Sequence, residues 1–231
     1  MSLIGSNVWL ILIAAISYLL GSLPTAHLVT KGIIGKDVWL AGSGNIGAMN
    51  SYRLIRKEKS TKMGIAGFAL ALVGDMGKGV LAIFIAKWLG FLGYDPLLAL
   101  IIGSFFVVLG HNYSFFFKFK KGGRGMAALG GVVLALNPLA LLIGLGTLVV
   151  SIFLIQYLLI ARIHWGKLSD MFSAASSQIV GRVGGLVIAL VPLYFFGPEV
   201  FLPTLAANIL VLIKHIERVK VYIKGLANRQ K

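Results

Sequence analysis

The 231-residue chain is 58% hydrophobic and only 13% charged, against about 25% charged for soluble domains, which marks an integral membrane protein. It has no cysteine, which excludes disulfides, thiolate nucleophiles and cysteine metal sites, and its four histidines show no His-x-x-x-His spacing, so no metal or cofactor is expected. The formal charge of +15 sits in clusters between apolar runs, the positive-inside pattern of a membrane protein, and nucleic acid is not an expected partner.

The first ten residues contain no Lys or Arg and so lack the n-region of a cleavable signal peptide. A first helix is predicted over 7–30, with Pro24 near its end. The polar segment 31–62 follows, carrying Lys31, Lys36, Arg53, Arg56, Lys57, Lys59 and Lys62. An apolar span over 63–88 holds Asp75 and Lys78, and a short loop leads to a second span over 97–109. A basic cluster of Lys118, Lys120, Lys121 and Arg124 precedes a short apolar stretch over 125–136, which covers only about 18 Å. Asn137-Pro138 marks a turn before a span over 139–160. Arg162, His164 and Lys167 form a third basic patch, and the span 172–196 ends at Gly197-Pro198. The last apolar run, 201–213, enters a tail with Lys214, Arg218, Lys220, Lys224, Arg229 and Lys231.

Two apolar segments separate each basic cluster from the next, so all four clusters can face one side. That arithmetic gives an all-α polytopic fold of about seven transmembrane helices, with the N-terminus outside and the C-terminus cytoplasmic. Only Lys87 then lies beside an outer loop. Without long linkers, internal repeats or low-complexity tracts, residues 1–231 read as a single membrane domain.

Several polar residues need a reason. Asp75 and Lys78 lie three apart, on one helix face, and ionisable groups within a span pair with each other or line a functional site. Gly77 and Gly79 beside them are small enough for close helix packing. The first polar segment offers Ser43, Gly44, Asn45, Gly47, Asn50 and then Arg53, a backbone-rich run able to turn around a ligand. The second offers His111, then Lys120, Lys121 and Gly122-Gly123-Arg124-Gly125, a glycine loop opening a helix whose free N–H groups favour an anion. His215 and Arg218 share a face of the last helix. Converging on the cytoplasmic side, these elements predict a phosphate site at the membrane surface.

The residues also resemble a known family. Ser43 to Asn50 with Arg53 looks like the first motif of the bacterial acyl-phosphate:glycerol-3-phosphate acyltransferases. Asp75-Met76-Gly77-Lys78-Gly79 is similar to their Asp/Lys-Gly helix, and His111, Phe116, Phe117, Phe119, Lys120 and Gly122 to Gly125 to their second motif. His215-Ile216-Glu217 and Gly225 resemble the third. The chain departs from the pattern at Met49, Ser114, Arg124 and Arg218, where Thr, Pro, Lys and Asn are usual. Trp39 stands where a basic residue is common, and Lys121 is an extra residue.

The resemblance implies transfer of a fatty acyl group from acyl phosphate to glycerol 3-phosphate, giving lysophosphatidate and phosphate without a protein general base. It implies that Ser43 and Asn45 hold phosphoryl oxygens, with Arg124 and His215 also at the reacting groups. Gly44, Gly47, Asn50, Arg53, Lys78, His111, Lys120, Gly122, Gly123, Gly125 and Arg218 would bind substrate. The expected partners are acyl phosphate, glycerol 3-phosphate or a related phosphorylated acceptor, and the lipid bilayer. A monomer in the inner membrane is expected, its active site facing the cytoplasm. Two other readings stay open on the sequence: the same fold acylating a different acceptor, and a non-catalytic anion- or lipid-binding or transport protein.

Overall fold

The computed structural model describes residues 3–40, 44–90, 95–161 and 179–227, and all regular structure among them is helical. The α-helices are α1 (Leu3–Ser22), α2 (Thr25–Ile34), α3 (Ala48–Glu58), α4 (Thr61–Gly90), α5 (Pro96–Asn112), α6 (Met126–Leu136), α7 (Pro138–Ala161), α8 (Ile179–Ile188), α9 (Leu190–Tyr194) and α10 (Pro198–Ala227). Short 3₁₀ turns occupy Val38–Leu40 and Phe115–Phe117. Five apolar segments are long enough to cross a bilayer: Val8–Ile34, Thr61–Gly90, Pro96–Phe117, Pro138–Ile155 and Pro198–Ile216. Met126–Leu136 and Gly181–Tyr194 are apolar but shorter.

Local chemistry sets the helix ends. The sequence predicts one helix over 7–30, but the chain breaks at Leu23 and Pro24 into α1 and α2. Proline lacks an N–H and disfavours the α conformation in the residue before it, so the break falls where the sequence puts it. Asp95 caps α5 by accepting from the N–H groups of Leu97 and Leu98 at 3.0 and 3.4 Å, with Pro96 in the first helical position. The Asn137 side chain accepts from Ala140 N–H at 3.0 Å and so starts α7.

Helix α3 lies inside the polar segment and was not a predicted element. It buries Ala48, Ser51, Leu54 and Ile55 on one face and exposes Arg53, Arg56 and Lys57 on the other, the pattern of an amphipathic helix. Its far end is tied by a 2.9 Å ion pair between Lys36 and Glu58, and the Lys36 hydrogen bond holds the Glu58 carboxyl below its usual range.

Helix α4 is the centre of the bundle, touching α1, α2, α3, α5 and α6. Two of the crossings bring backbones together through reciprocal glycines, as small residues do in membrane bundles. Between α1 and α5, a Cβ on Gly21 would fall 2.0 Å from Val107 O, and one on Gly110 would fall 2.1 Å from Tyr18 O. Between α4 and α6, Gly79 faces Ala128 O at 2.2 Å and Gly131 faces Met76 O at 1.9 Å by the same construction. Gly77, expected to share this role, has no atom within 4 Å of its Cβ position. The buried core runs through Ile13, Ile83, Val107, Val108, Val132 and Val211. Outward, Val73, Leu81, Phe84, Leu142, Val150 and Phe153 are exposed, as lipid-facing residues are.

Candidate active site

The break after α1 leaves carbonyl groups without helical partners, and Lys78 of α4 fills that gap. Its ammonium donates to Leu23 O at 2.6 Å, approaches Gly21 O at 3.5 Å and pairs with Asp75 Oδ1 at 2.7 Å. Thr25, the first residue of α2, donates its hydroxyl to the same carboxylate oxygen. His111, in the last turn of α5, brings Nδ1 to 3.6 Å from that oxygen. Exposure of Asp75, Lys78 and His111 is 2, 4 and 7%, so the charges are buried together and offset one another. A buried pair of this kind persists only where its remaining hydrogen-bonding capacity is met.

Above this cluster the two glycine motifs meet. Gly123 N–H donates to His111 O at 2.8 Å, and Ile46 N–H donates to Gly122 O at 3.4 Å, which links the second loop to the first. Gly47 precedes α3 and Gly125, at φ 81°, precedes α6, so each motif opens a helix. The Ile46–Gly122 bond thereby ties together the loops that lead into two helix N-termini, the ends that favour anions. A small cavity between these parts is lined by Thr25, Ile46, Asp75, Lys78, His111, Ser114, Phe117, Gly122 and Gly123, among others.

The predicted site residues divide by position. Lys78, His111, Gly122 and Gly123 line the cavity, and Arg124 is half-buried beside them. Gly44, at φ 66°, and Asn45 lead into Ile46, and a Cβ on Gly47 would fall 2.7 Å from Asn45 Nδ2. Asn50 is buried and donates to Val38 O at 2.7 Å, so its side chain stitches the first loop. Arg53 and Lys120 are exposed and outside the cavity lining. His215 is buried on α10 with Nδ1 2.8 Å from Val211 O, outside that lining too. Gly125 packs against Val108, Asn112 and Val211, which joins the loop to α10. Ser43 and the Arg218 side chain lie outside the described residues, as does the third basic patch.

Sequence reasoning missed Thr25, Ser22 and Asn112. Ser114 donates to Ser22 O at 2.6 Å, the Ser22 hydroxyl accepts from Phe115 N–H at 3.3 Å, and Asn112 donates to Leu210 O at 3.1 Å. Their one sequence signal was polarity flanking apolar runs, at Ser22-Leu23-Pro24-Thr25 and at His111-Asn112.

An all-helical membrane protein with a buried ionic cluster beneath two glycine-opened helix termini has the makings of an anion-binding membrane enzyme. The family model described as glycerol-3-phosphate acyltransferase matches residues 11–225. The chain is 32% identical to a glycerol-3-phosphate acyltransferase of Geobacter sulfurreducens, over 96% of this chain and 97% of that one. It is 37% identical to one of Trichlorobacter lovleyi, over 93 and 94%. Among solved structures it is similar to the glycerol 3-phosphate form of PlsY (YgiH), an integral membrane glycerol 3-phosphate acyltransferase, with a TM-score of 0.64 and 25% identity over 94% of this chain and 92% of that one. The chain belongs to the glycerol-3-phosphate acyltransferase family.

Proposed function

We propose that this protein transfers a fatty acyl group from acyl phosphate to glycerol 3-phosphate. The observation that carries the reading is the bond between the loops before α3 and α6, beside the Asp75–Lys78–His111 cluster, in a chain of this family. The acceptor hydroxyl oxygen attacks the acyl carbonyl carbon, the carbon–oxygen bond to phosphate breaks, and the hydroxyl proton passes to a phosphate oxygen. Products are lysophosphatidate and inorganic phosphate. N–H groups at the two helix starts favour phosphoryl oxygens and the charge growing on the carbonyl oxygen. Ser43, Asn45, Arg124 and His215 are the proposed groups at the reacting atoms. Arg53, Lys120 and Arg218 supply countercharge along the approach.

Purified protein in detergent should release phosphate from acyl phosphate only when glycerol 3-phosphate is present, and labelled acceptor should appear as lysophosphatidate. Arg53→Ala should lower kcat/KM for the acceptor about 10- to 100-fold, the scale of a lost charge-assisted hydrogen bond. Unchanged turnover in that variant removes Arg53 from the site.

The acyl chain is assigned to a second cavity between α6, α7, α8, α9 and α10, lined by residues such as Met126, Leu129, Leu148, Leu186 and Leu193. Gly130 lines it too, and a Cβ there would meet only Met76 Cε at 3.9 Å, so a side chain can start at this position without a clash. Gly130→Leu should shift donor preference to shorter chains, with each displaced methylene costing about 0.8 kcal/mol in kcat/KM. Competition between acyl phosphates of different length measures the shift, and an unchanged preference places the chain elsewhere.

The proposed topology has seven crossings of the inner membrane by a monomeric single domain, the N-terminus outside and the site cytoplasmic. It is supported by ring contacts that join three basic clusters at one end: Lys121 lies 4.5 Å from the Trp39 ring and Lys214 lies 3.9 Å from that of Tyr113. Lys87 caps the end of α6 through Ala135 O at 2.9 Å.

A further inference from the structure

Beside the cavity stands an aromatic wall that the reaction leaves unexplained. The His27 ring of α2 stacks on Trp39 at 4.6 Å, and Phe117 meets both edge-on, at 5.6 and 5.0 Å. Phe117 also lines the cavity, next to Ala26 and Ile46. On Trp39 sits Lys121, its Nζ 4.5 Å from the ring centroid. Indole is the best face for an ammonium, because its quadrupole is the strongest of the aromatic side chains.

The loop geometry delivers Lys121 to that position. Lys118 and Phe119 both adopt positive φ, at 50° and 62°, a conformation non-glycine residues seldom take. The turn closes around Ser114, whose O accepts from Phe119 N–H at 3.0 Å and whose N–H donates to Lys121 O at 3.3 Å. Lys121 therefore leaves the turn directly before Gly122, which lines the cavity and accepts from Ile46. Lys118, on the same turn, is exposed and makes no ion pair or ring contact among the described residues.

We propose that Trp39 and Lys121 are positioning residues for the anionic acceptor: Trp39 clamps Lys121 at the cavity mouth and locks the first loop onto the second. The proposal rests on the glycerol 3-phosphate reading above. A fixed cation at the mouth attracts the acceptor phosphate before it reaches the reacting groups, so it acts on binding more than on chemistry. Such an attraction is screened by salt.

The test has an arm that needs no substrate. In a variant whose only tryptophan is Trp39 (Trp9, Trp88 and Trp165 replaced by Phe), Lys121→Gln should raise the Trp39 emission, because a nearby ammonium quenches indole. With substrates, Lys121→Gln should raise KM for glycerol 3-phosphate about fivefold at constant kcat, the signature of lost uniform binding, and flatten the rise of KM with salt. Trp39→Leu should do the same, Trp39→Phe should fall between, and Lys121→Arg should keep the parental KM. The Trp39→Leu/Lys121→Gln pair should be no worse than either single change. Lys118→Gln serves as the control at parental KM. Additive losses, a parental KM in Lys121→Gln or an unchanged emission overturns the clamp. Absence of turnover in the parent, with the emission change intact, overturns the acceptor reading and not the clamp.

Discussion

Asp75→Ala is expected to cost about 3–5 kcal/mol of stability, the scale of a buried ion pair broken on one side, and to abolish acyl transfer. The carboxylate serves three partners at once: Lys78 at 2.7 Å, the Thr25 hydroxyl, and His111 at 3.6 Å. Without it, Lys78 keeps only the carbonyls of Leu23 and Gly21 and remains a buried cation without a countercharge. Thermal unfolding of detergent-purified protein measures the loss. Asp75→Ala/Lys78→Met removes both charges and should regain most of the stability while remaining inactive. If Asp75→Ala melts with the parent, the pair is not the anchor of the α1–α2 break. The double variant matters because it separates two roles that one substitution merges: holding α4 to the broken first span, and presenting His111 to the glycine loop.

How much of this was legible in the sequence depends on which force fixes each part. Hydropathy alone gave the long spans, since burial in lipid acts on composition. The break at Pro24 was only half visible: proline announces a helix end, but not that Lys78, 55 residues from Leu23, takes the freed carbonyl. Charge counting hid α3, although Ala48, Ser51, Leu54 and Ile55 already carried its helical period. Asparagine in a glycine run has two uses, ligand and structural tie, and the bond from Asn50 to the Val38 carbonyl is a tertiary contact that spacing does not encode. His111 and Gly123 were both selected as site residues, yet their contact is a matter of loop closure that spacing does not encode. Ser43 and the Arg218 side chain, both selected in sequence, fall outside the described residues.

Gly123→Ala should lower kcat by about 10²-fold, the scale expected when a catalytic element is displaced by about 1 Å. A Cβ built on Gly123 falls 1.9 Å from His111 Nε2 and within 2.8 Å of Cδ2 and Cε1, so the imidazole lies against the glycine. The ring has little room to retreat, because His111 is buried and Asp75 stands at 3.6 Å on its other side. Nor is the loop free to lift, since Gly123 N–H is bonded to the carbonyl of His111 itself at 2.8 Å. With the Gly123 bond held, relief has to come at the longer 3.4 Å Ile46–Gly122 bond, which loosens the second loop from the first. His111→Ala supplies the decisive comparison: it removes the ring, so adding Gly123→Ala to it should cost almost nothing further. A double-mutant cycle on kcat, run with size-exclusion profiles that confirm folded protein, reads this directly. Independent losses at the two positions would mean that Gly123 acts through its backbone amide alone. A coupled loss makes the glycine the spacer that lets a buried histidine support the second glycine loop.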